Sequence, residues 1–518
     1  MYQTALLLLT GPLRYVIESI TQYLKCANKT NVKFLYVKLE PEFNQPVSKS
    51  DPRNLLGLSS FIPIIYSKAS SVCENLDVRV LLNGKKQINS NDKFSKFDLI
   101  LTNSDEDDCS ITRYIDICFE QNCCKIVKLD DKQFTALNVE CQNSLPKFQT
   151  YKTVCLGGTF DRLHNGHKVL LSEAALRATD KLIVGVTDRP MLKRKILWEL
   201  IEPVEKRIEE VSKFLCDVDC SLSYEIVPIV DPYGPTITTP DIDCIVVSAE
   251  TKTGGEKVNQ ERRKRGMSEL SMYIVDLVQN ANRNPEEEEK MSSSTNRMHL
   301  LGKPLLKSQI IPNSNTSYII LLKGQLMSGK SYIAKCFQQF GVFLVCCNDV
   351  IHSVLNEDKD LKEKITKHFD DKLTRDDGSF DYEKLTLECL ENKEKREWIA
   401  HTISNKVNYI IEQKLQVHLR TGRCIVLLKQ STLLELKLKT AVDEIWTTIL
   451  PVPETVKRLK EFYNISEDVA TNILKSVPSN EELIQESNII FCNLWSTDYT
   501  QQQVQRAWCY IKGMLGKL

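Results

Sequence analysis

Short apolar runs alternate with longer mixed stretches almost from the first residue. Residues 5–10, 32–39, 78–82 and 99–102 are rich in Leu, Ile and Val, and polar segments such as 87–92 and 103–108 separate them. Runs of this length and composition predict short strands. Residues 1–147 are therefore expected to form a small α/β domain. No cluster in it suggests chemistry, and its role stays open.

From 148 to 280 the punctuation is sharper. Residues 153–156 predict a strand that runs straight into a Gly-rich turn and a helix; 182–186, 225–230 and 244–248 predict further strands, with helical stretches such as 204–215 between them. Strands alternating with helices imply a parallel sheet. Residues 281–316 then bring Asn-Arg-Asn-Pro, the four glutamates 286–289 and the serines 292–294, which reads as a polar linker. The apolar patch at 298–301 could still dock on something. From 317 to 518 a third unit opens on the strand 318–322, again followed by a Gly-rich turn, with long helical patterns and another strand at 424–428.

Composition narrows the class without naming a function. The length of 518 residues suggests about three domains. Lys plus Arg and Asp plus Glu are 68 each, so no bulk charge argues for nucleic acid or an acidic membrane as partner. The mix of 42% hydrophobic and 26% charged residues is that of a globular chain. No apolar run approaches the length of a membrane-spanning helix. The first ten residues lack a basic leader and are read as a buried strand, not a signal peptide. The 18 cysteines, including the pairs Cys123/Cys124 and Cys346/Cys347, show no regular spacing, which fits reduced thiols in a cytoplasmic protein. Cys216 and Cys220 have no second ligand pair nearby, so zinc is not expected.

Candidate chemistry sits at the two Gly-rich turns. The first reads Gly157-Gly158-Thr159-Phe160-Asp161-Arg162-Leu163-His164-Asn165-Gly166-His167. Two glycines let the backbone approach a phosphate closely, and the helix start offers free N–H groups. His164 and His167, three apart, share a helix face. Together these make an anion site suited to a polyphosphate.

This string resembles the HxGH signature of nucleotidyltransferases, in the form found in phosphopantetheine adenylyltransferases. The similarity continues through Gly185-Val186-Thr187-Asp188, Leu192-Lys193-Arg194-Lys195, Asp231-Pro232-Tyr233-Gly234-Pro235-Thr236, Val247 to Thr251, Gly254-Gly255 and Asn259. With a third unit that carries a P-loop, the layout resembles the animal bifunctional coenzyme A synthases. The resemblance implies a Rossmann-like nucleotidyltransferase domain plus a P-loop kinase-like domain, after a small α/β N-terminal domain. It implies adenylyl transfer from ATP to 4′-phosphopantetheine, giving dephospho-CoA and pyrophosphate, with Mg²⁺ accompanying ATP. His164, His167 and Lys195 would be the catalytic groups. Gly157, Gly158, Thr159, Phe160, Ser248, Thr251 and Arg262 would bind substrate. The resemblance also allows association with the mitochondrial surface.

The second turn, Gly324-Gln325-Leu326-Met327-Ser328-Gly329-Lys330-Ser331, satisfies G-x-x-x-x-G-K-S after a strand. Gly324, Ser328, Gly329, Lys330 and Ser331 would bind nucleotide, Ser331 would ligate Mg²⁺, and Arg458 would be a lid cation. The resemblance makes this unit a dephospho-CoA kinase, but several of its expected groups are missing. The Asp-x-Asp after the second strand is replaced by Cys346 and Asn348, and Asp349 comes one position late. Lys429 stands where an aspartate is usual, ahead of Leu433-Leu434-Glu435. Phe462 replaces the second lid arginine, and Tyr382 ends an element (Asp377, Gly378, Ser379, Phe380, Asp381) that normally closes on arginine. Three readings of the unit follow: a nucleotide-binding pseudokinase, an active kinase with rearranged groups such as Asp349, and a structural remnant. A nucleotide-binding scaffold is the rival reading of the whole chain.

Overall fold

The computed structural model describes residues 2–40, 52–73, 76–82, 96–121, 125–129, 148–280, 283–305, 317–369, 373–375, 380–420, 424–431 and 441–515. They fall into two compact units, 1–295 and 296–518. The segment 87–92 and the pair Cys123/Cys124 lie outside the described residues.

The first unit holds two five-stranded sheets. One comprises β1 (Thr4–Thr10), β2 (Phe34–Glu40), β3 (Asp77–Val80), β4 (Leu99–Thr102) and β5 (Lys125–Lys128), with helices α1 (Leu13–Asn28), α2 (Pro52–Val72) and α3 (Asp108–Phe119). Its order is β3-β2-β1-β4-β5, all parallel. The other comprises β6 (Tyr151–Gly158), β7 (Ala178–Thr187), β8 (Ser223–Ile229), β9 (Cys244–Ser248) and β10 (Ser271–Val275), in the order β10-β9-β6-β7-β8, also parallel. Between its strands run α4 (Asn165–Arg177), the short α5 (Arg189–Leu192), α6 (Val204–Val218) and α7 (Lys252–Lys264). In each sheet the strand order reverses beside the first strand. Ligands bind such sheets at the carboxyl ends of the strands, in the crevice at that reversal.

Most helices show the expected single apolar face. In α1, Val16, Ile20, Tyr23, Leu24 and Ala27 are buried at helical spacing. Helix α4 is different: Lys168, Val169, Leu171, Ser172, Glu173, Ala174, Ala175, Leu176 and Arg177 are all buried, polar residues included. Helix α2 packs along it, and one apolar cluster runs through β1, β2, α1, α2, α4, β6, β7 and α6.

The charges on α4 are buried with their partners. Lys168 Nζ donates to Asp77 Oδ1 at 2.6 Å and to the Val78 carbonyl at 3.0 Å. Glu173 accepts from Arg177 Nη1 at 2.5 Å and from Ser59 Oγ at 2.9 Å, and the Arg177 guanidinium lies 3.2 Å from the centre of the Tyr273 ring. Asp217 at the end of α6 receives Tyr36 OH at 2.8 Å and Arg79 Nη1 at 2.5 Å.

The stretch 281–316, expected to be a polar linker, is no free tether over its described part. In the first unit Gln279 and Lys290 form an antiparallel bridge, and Met291 N donates to the Val278 carbonyl at 2.8 Å. The short helix α8 (Ser293–Met298) follows. In the second unit the patch 298–301 does dock: Met298 and Leu301 are buried, and Pro304 bridges Ile489. Polar composition hid this because the segment bonds largely through its backbone.

The second unit is one parallel sheet, β12-β13-β11-β14-β15, made of β11 (Tyr318–Gly324), β12 (Phe343–Cys346), β13 (Ile425–Lys429), β14 (Glu444–Ile449) and β15 (Ile489–Cys492). Helices α9 (Lys330–Gln339), α10 (Cys347–Glu357), α11 (Lys359–His368), α12 (Tyr382–Glu391), α13 (Lys393–Arg420) and α14 (Val452–Tyr463) cover it, with a last helix at Thr497–Leu515. The pattern 317–518 left β14 and β15 unassigned, since four- to six-residue runs are short signals.

Removing one member of a buried pair strands its partner, typically at a cost of about 3–5 kcal/mol. Glu173→Leu is expected to destabilise the first unit by about that amount, and Glu173→Leu/Arg177→Leu by clearly less than the sum of the two singles. Urea unfolding of the three variants, compared through a double-mutant cycle, checks this.

Candidate active sites

The first site forms where β6 ends and α4 begins. The turn is tight: Phe160 and Arg162 have φ of 50° and 49°. Phe160 is fully buried, and its ring would lie 2.9 Å from a Cβ at position 158, so Gly158 is required by this turn. His164 caps α4, its Nδ1 accepting from His167 N at 3.4 Å. The two imidazoles stack with centroids 3.7 Å apart, and the Phe160 ring lies 5.3 Å from His167. His167 Nδ1 is buried with no hydrogen-bond partner.

Burial sets the charge state of this pair. It pulls the His167 pKa down to about 3, and the Lys195 ammonium acts in the same direction. His164 is held well below the ordinary histidine range, by burial first and then by the neighbouring His167 and Lys168. Both rings are therefore neutral near pH 7. Lys195 itself is exposed, on the loop after α5.

The surrounding groups are fixed by backbone bonds. Thr159 Oγ1 accepts from Thr187 Oγ1 at 3.1 Å. Buried Arg207 reaches the carbonyls of Thr159 at 2.7 Å and Thr187 at 2.8 Å, tying the ends of β6 and β7 together. At the end of β9, Ser248 N donates to Thr251 Oγ1 at 2.9 Å, and the two hydroxyls are 3.0 Å apart. The strand ends of β6 and β9 thus carry the glycine turn and the hydroxyl pair expected from the sequence.

Arg262 is a correction. It was expected to bind substrate, but it is fully buried, and its guanidinium donates to the carbonyls of Ser268, Thr236, Thr239 and Pro240 at 2.5–3.1 Å. All three of its nitrogens are used in holding the chain together. Sequence reasoning also passed over Arg207, Asp161 and Ser293. Asp161 is fully buried; its Oδ1 accepts from Arg162 Nη1 at 2.9 Å and Glu202 N at 3.1 Å, and Ser293 Oγ donates to its carbonyl at 3.0 Å. The run of hydroxyl residues 292–295 was the available signal, discounted because polar runs usually mark linkers.

The second site is the P-loop after β11. Gly324 has a φ of 150°, and a Cβ there would fall 2.2 Å from Thr448 Oγ1 and 2.5 Å from the Thr448 carbonyl, so only glycine fits. Ser328 is fully buried under the loop, its hydroxyl bonded to the Gln325 carbonyl at 2.7 Å and to Thr448 Oγ1 at 2.6 Å. Its side chain shapes the loop. Lys330 Nζ lies across the loop, donating to the carbonyls of Gly324 at 2.9 Å and Gln325 at 2.6 Å. Burial, reinforced by Lys429, lowers its pKa to about 7. Lys429 Nζ donates to Ser331 Oγ at 3.0 Å. Arg458 bonds the Asn493 carbonyl at 2.9 Å and touches the loop at the Met327 carbonyl, 3.4 Å away. Phe462 is exposed.

The residues at which the sequence was expected to depart from the kinase pattern can be placed. Cys346 ends β12, and Cys347 and Asn348 open α10. Asp349 lies in the first turn of that helix, exposed. Asn348 lines a small pocket with Ile351, His352, Tyr382 and Ser431. Asp381 caps α12, accepting from Lys384 N at 3.0 Å. Asp377, Gly378, Ser379, Leu433, Leu434 and Glu435 lie outside the described residues.

Comparisons with known proteins bear on both sites. The sequence model of the cytidylyltransferase-like family matches residues 155–320, and that of dephospho-CoA kinase matches 318–498. A phosphopantetheine adenylyltransferase of Methanopyrus kandleri is 41% identical over 128 residues, which cover 25% of this chain and 80% of that protein. The chain belongs to the phosphopantetheine adenylyltransferase family. The two family matches, side by side, give it the domain make-up of a bifunctional coenzyme A synthase. The phosphopantetheine adenylyltransferase of Saccharomyces cerevisiae is 42% identical over 25% of this chain and 42% of its own length. An uncharacterized protein of Schizosaccharomyces pombe, C1F12.08, is 46% identical over 28% of this chain and 47% of its own. The chain thus spans less than half the length of these two fungal relatives.

The neutral histidines make a pH prediction. Their folded pKa values lie below the unfolded value near 6.5, so their contribution to stability is complete above pH 6.5 and lost as pH falls toward 3. Each costs up to about 1.4 kcal/mol per pH unit below that point. The first unit's melting temperature is expected to drop between pH 7 and 5, and less steeply in His167→Gln. Differential scanning calorimetry across that range checks it.

Proposed function

We propose that the middle segment, 148–280, together with the hydroxyl stretch up to Thr295, transfers the adenylyl group of ATP to 4′-phosphopantetheine. The products are dephospho-CoA and pyrophosphate. The paired, neutral His164 and His167 at the start of α4 are the observation that carries this reading.

The attacking group is a phosphate anion, so no general base is needed, and the work is positioning and charge stabilisation. A neutral imidazole can serve here, because one ring nitrogen keeps an N–H that donates to a phosphate oxygen. His167 holds the α-phosphate as charge develops there, with His164 beside it. Thr159 binds the incoming phosphate, and Lys195 bridges the two reacting groups. Ser248 and Thr251 hold the triphosphate from the β9 side. Mg²⁺ accompanying ATP would offset part of the triphosphate charge. No group of three His, Cys, Asp or Glu among the described residues could hold a metal ion on its own.

For the second unit we propose nucleotide binding without effective phosphoryl transfer. A hydroxyl nucleophile is helped by a carboxylate base, and Cys346 and Asn348 occupy the positions where the dephospho-CoA kinase pattern has aspartates. The full chain would then end its reaction at dephospho-CoA. The 18 irregularly spaced cysteines support a reducing, cytoplasmic setting.

Two measurements test these readings. Protein incubated with ATP, Mg²⁺ and 4′-phosphopantetheine should accumulate dephospho-CoA by mass spectrometry, with His167→Ala slower by about a hundredfold or more. Accumulation of coenzyme A would show the second unit to be a working kinase. Lys330→Ala should abolish ATP binding at the P-loop, read as loss of ATP-dependent protection of peptide 323–335 in hydrogen exchange, while adenylyl transfer continues.

A further inference from the structure

The P-loop carries a lysine in the place of its metal. In P-loop enzymes the Mg²⁺ that bridges the β- and γ-phosphates is held by the loop Ser/Thr and an aspartate from a neighbouring strand. Here Ser331 is that hydroxyl, and β13 is the strand hydrogen-bonded beside β11. Lys429 is the last residue of β13, level with Leu322 of β11 and Cys346 of β12. Its ammonium donates to Ser331 Oγ at 3.0 Å. The position that should attract a divalent ion is thus filled by a fixed cation.

The donor set does not fit Mg²⁺. This ion requires oxygen ligands, usually one or two carboxylates with phosphates and water. Among the described residues no carboxylate forms an ion pair with Lys429 or bonds to Ser331. Cys346 ends the neighbouring strand with a buried thiol, a poor ligand for a hard ion. A divalent ion at Ser331 would sit beside the Lys429 ammonium and be repelled by it.

The charge needed by a nucleotide is nevertheless present. In the usual arrangement a lysine, a divalent ion and one aspartate carry a net charge of plus two toward the phosphates. With a polyphosphate beside it, which favours its protonated form, Lys330 together with Lys429 carries the same total without an ion. Lys330 now lies on the loop's own carbonyls at 2.6 and 2.9 Å, contacts that phosphate oxygens can replace. Arg458, which reaches the loop at Met327, is already paired with Glu454 at 2.8 Å and is left out of this count.

We propose that this P-loop binds a nucleoside polyphosphate free of metal, with the Lys429 ammonium standing in for Mg²⁺ at Ser331. This rests on the reading of the second unit as a nucleotide-binding domain and adds the form of nucleotide it takes. It also gives a physical reason for weak phosphoryl transfer: an ammonium on a strand end cannot bridge two phosphates and follow the charge between them as a coordinated ion does.

The test is local hydrogen exchange on the full chain, followed at peptide 323–335 while ATP is titrated in EDTA or in excess Mg²⁺. The expected result is protection in EDTA at ATP concentrations equal to or below those needed with Mg²⁺. Protection with Mg²⁺ alone would overturn the proposal and leave the nucleotide-binding reading standing. No protection in either condition would overturn both. Lys429→Asp should weaken protection in EDTA at least tenfold and make it Mg²⁺-dependent; Lys429→Met should weaken it in EDTA without gaining a response to Mg²⁺. Either variant binding ATP in EDTA as the parent does would overturn the proposal.

Discussion

The burial of helix α4 from Leu171 to Arg177 around its whole circumference is the constraint on which the first unit depends. A parallel sheet must cover both faces, and β6 and β7 use α4 for one of them. The outer side of α4 would face water in a lone nucleotidyltransferase sheet. In this chain α2 lies along it, so Lys168, Glu173 and Arg177 are withdrawn from solvent and must be matched. Asp77, Ser59 and Tyr273 do so. Asn165, between the two histidines, is fixed the same way: its Nδ2 donates to Ser70 Oγ at 2.9 Å and the Tyr66 carbonyl at 3.2 Å. The N-terminal residues thereby contribute to the orientation of the helix that presents His164 and His167.

That arrangement also gives the N-terminal sheet a role its sequence did not suggest. Its strand order repeats that of the second sheet, which would open a crevice between β1 and β4. There Asn103 instead bonds Thr10 through both its amide oxygen and nitrogen, at 2.8 and 3.0 Å, and knits the two strand ends together. The opposite face of this sheet, with α1 and α2, is continuous with the core of the nucleotidyltransferase sheet. This sheet supports its neighbour.

The two phosphate sites handle charge in opposite ways. At the first, burial strips the histidines of their protons and leaves neutral donors on a rigid turn, with the cation Lys195 on an exposed loop. Charge can then arrive with the substrates and change during reaction. At the second, the basic side chains of Lys330, Lys429 and Arg458 are built into helix and strand and bonded in place. Fixed cations suit holding an anion; a reaction that moves charge between oxygens needs groups able to follow it.

Much of this was legible in the sequence. The alternation of strands and helices, the glycine turns after β6 and β11, and the histidine pair all depend on residues close in sequence, where spacing and backbone conformation carry the information. What the sequence could not show was decided over long separations. Arg262 read as a substrate-binding cation until the carbonyls of 236, 239, 240 and 268 closed around it. The run 292–295 read as linker until Ser293 met Asp161, 132 residues away. The contact of Lys429 with Ser331, 98 residues distant, exists only once β13 lies beside β11. Local chemistry is written in the order of residues; burial and charge pairing arise only when strands far apart in the chain become neighbours.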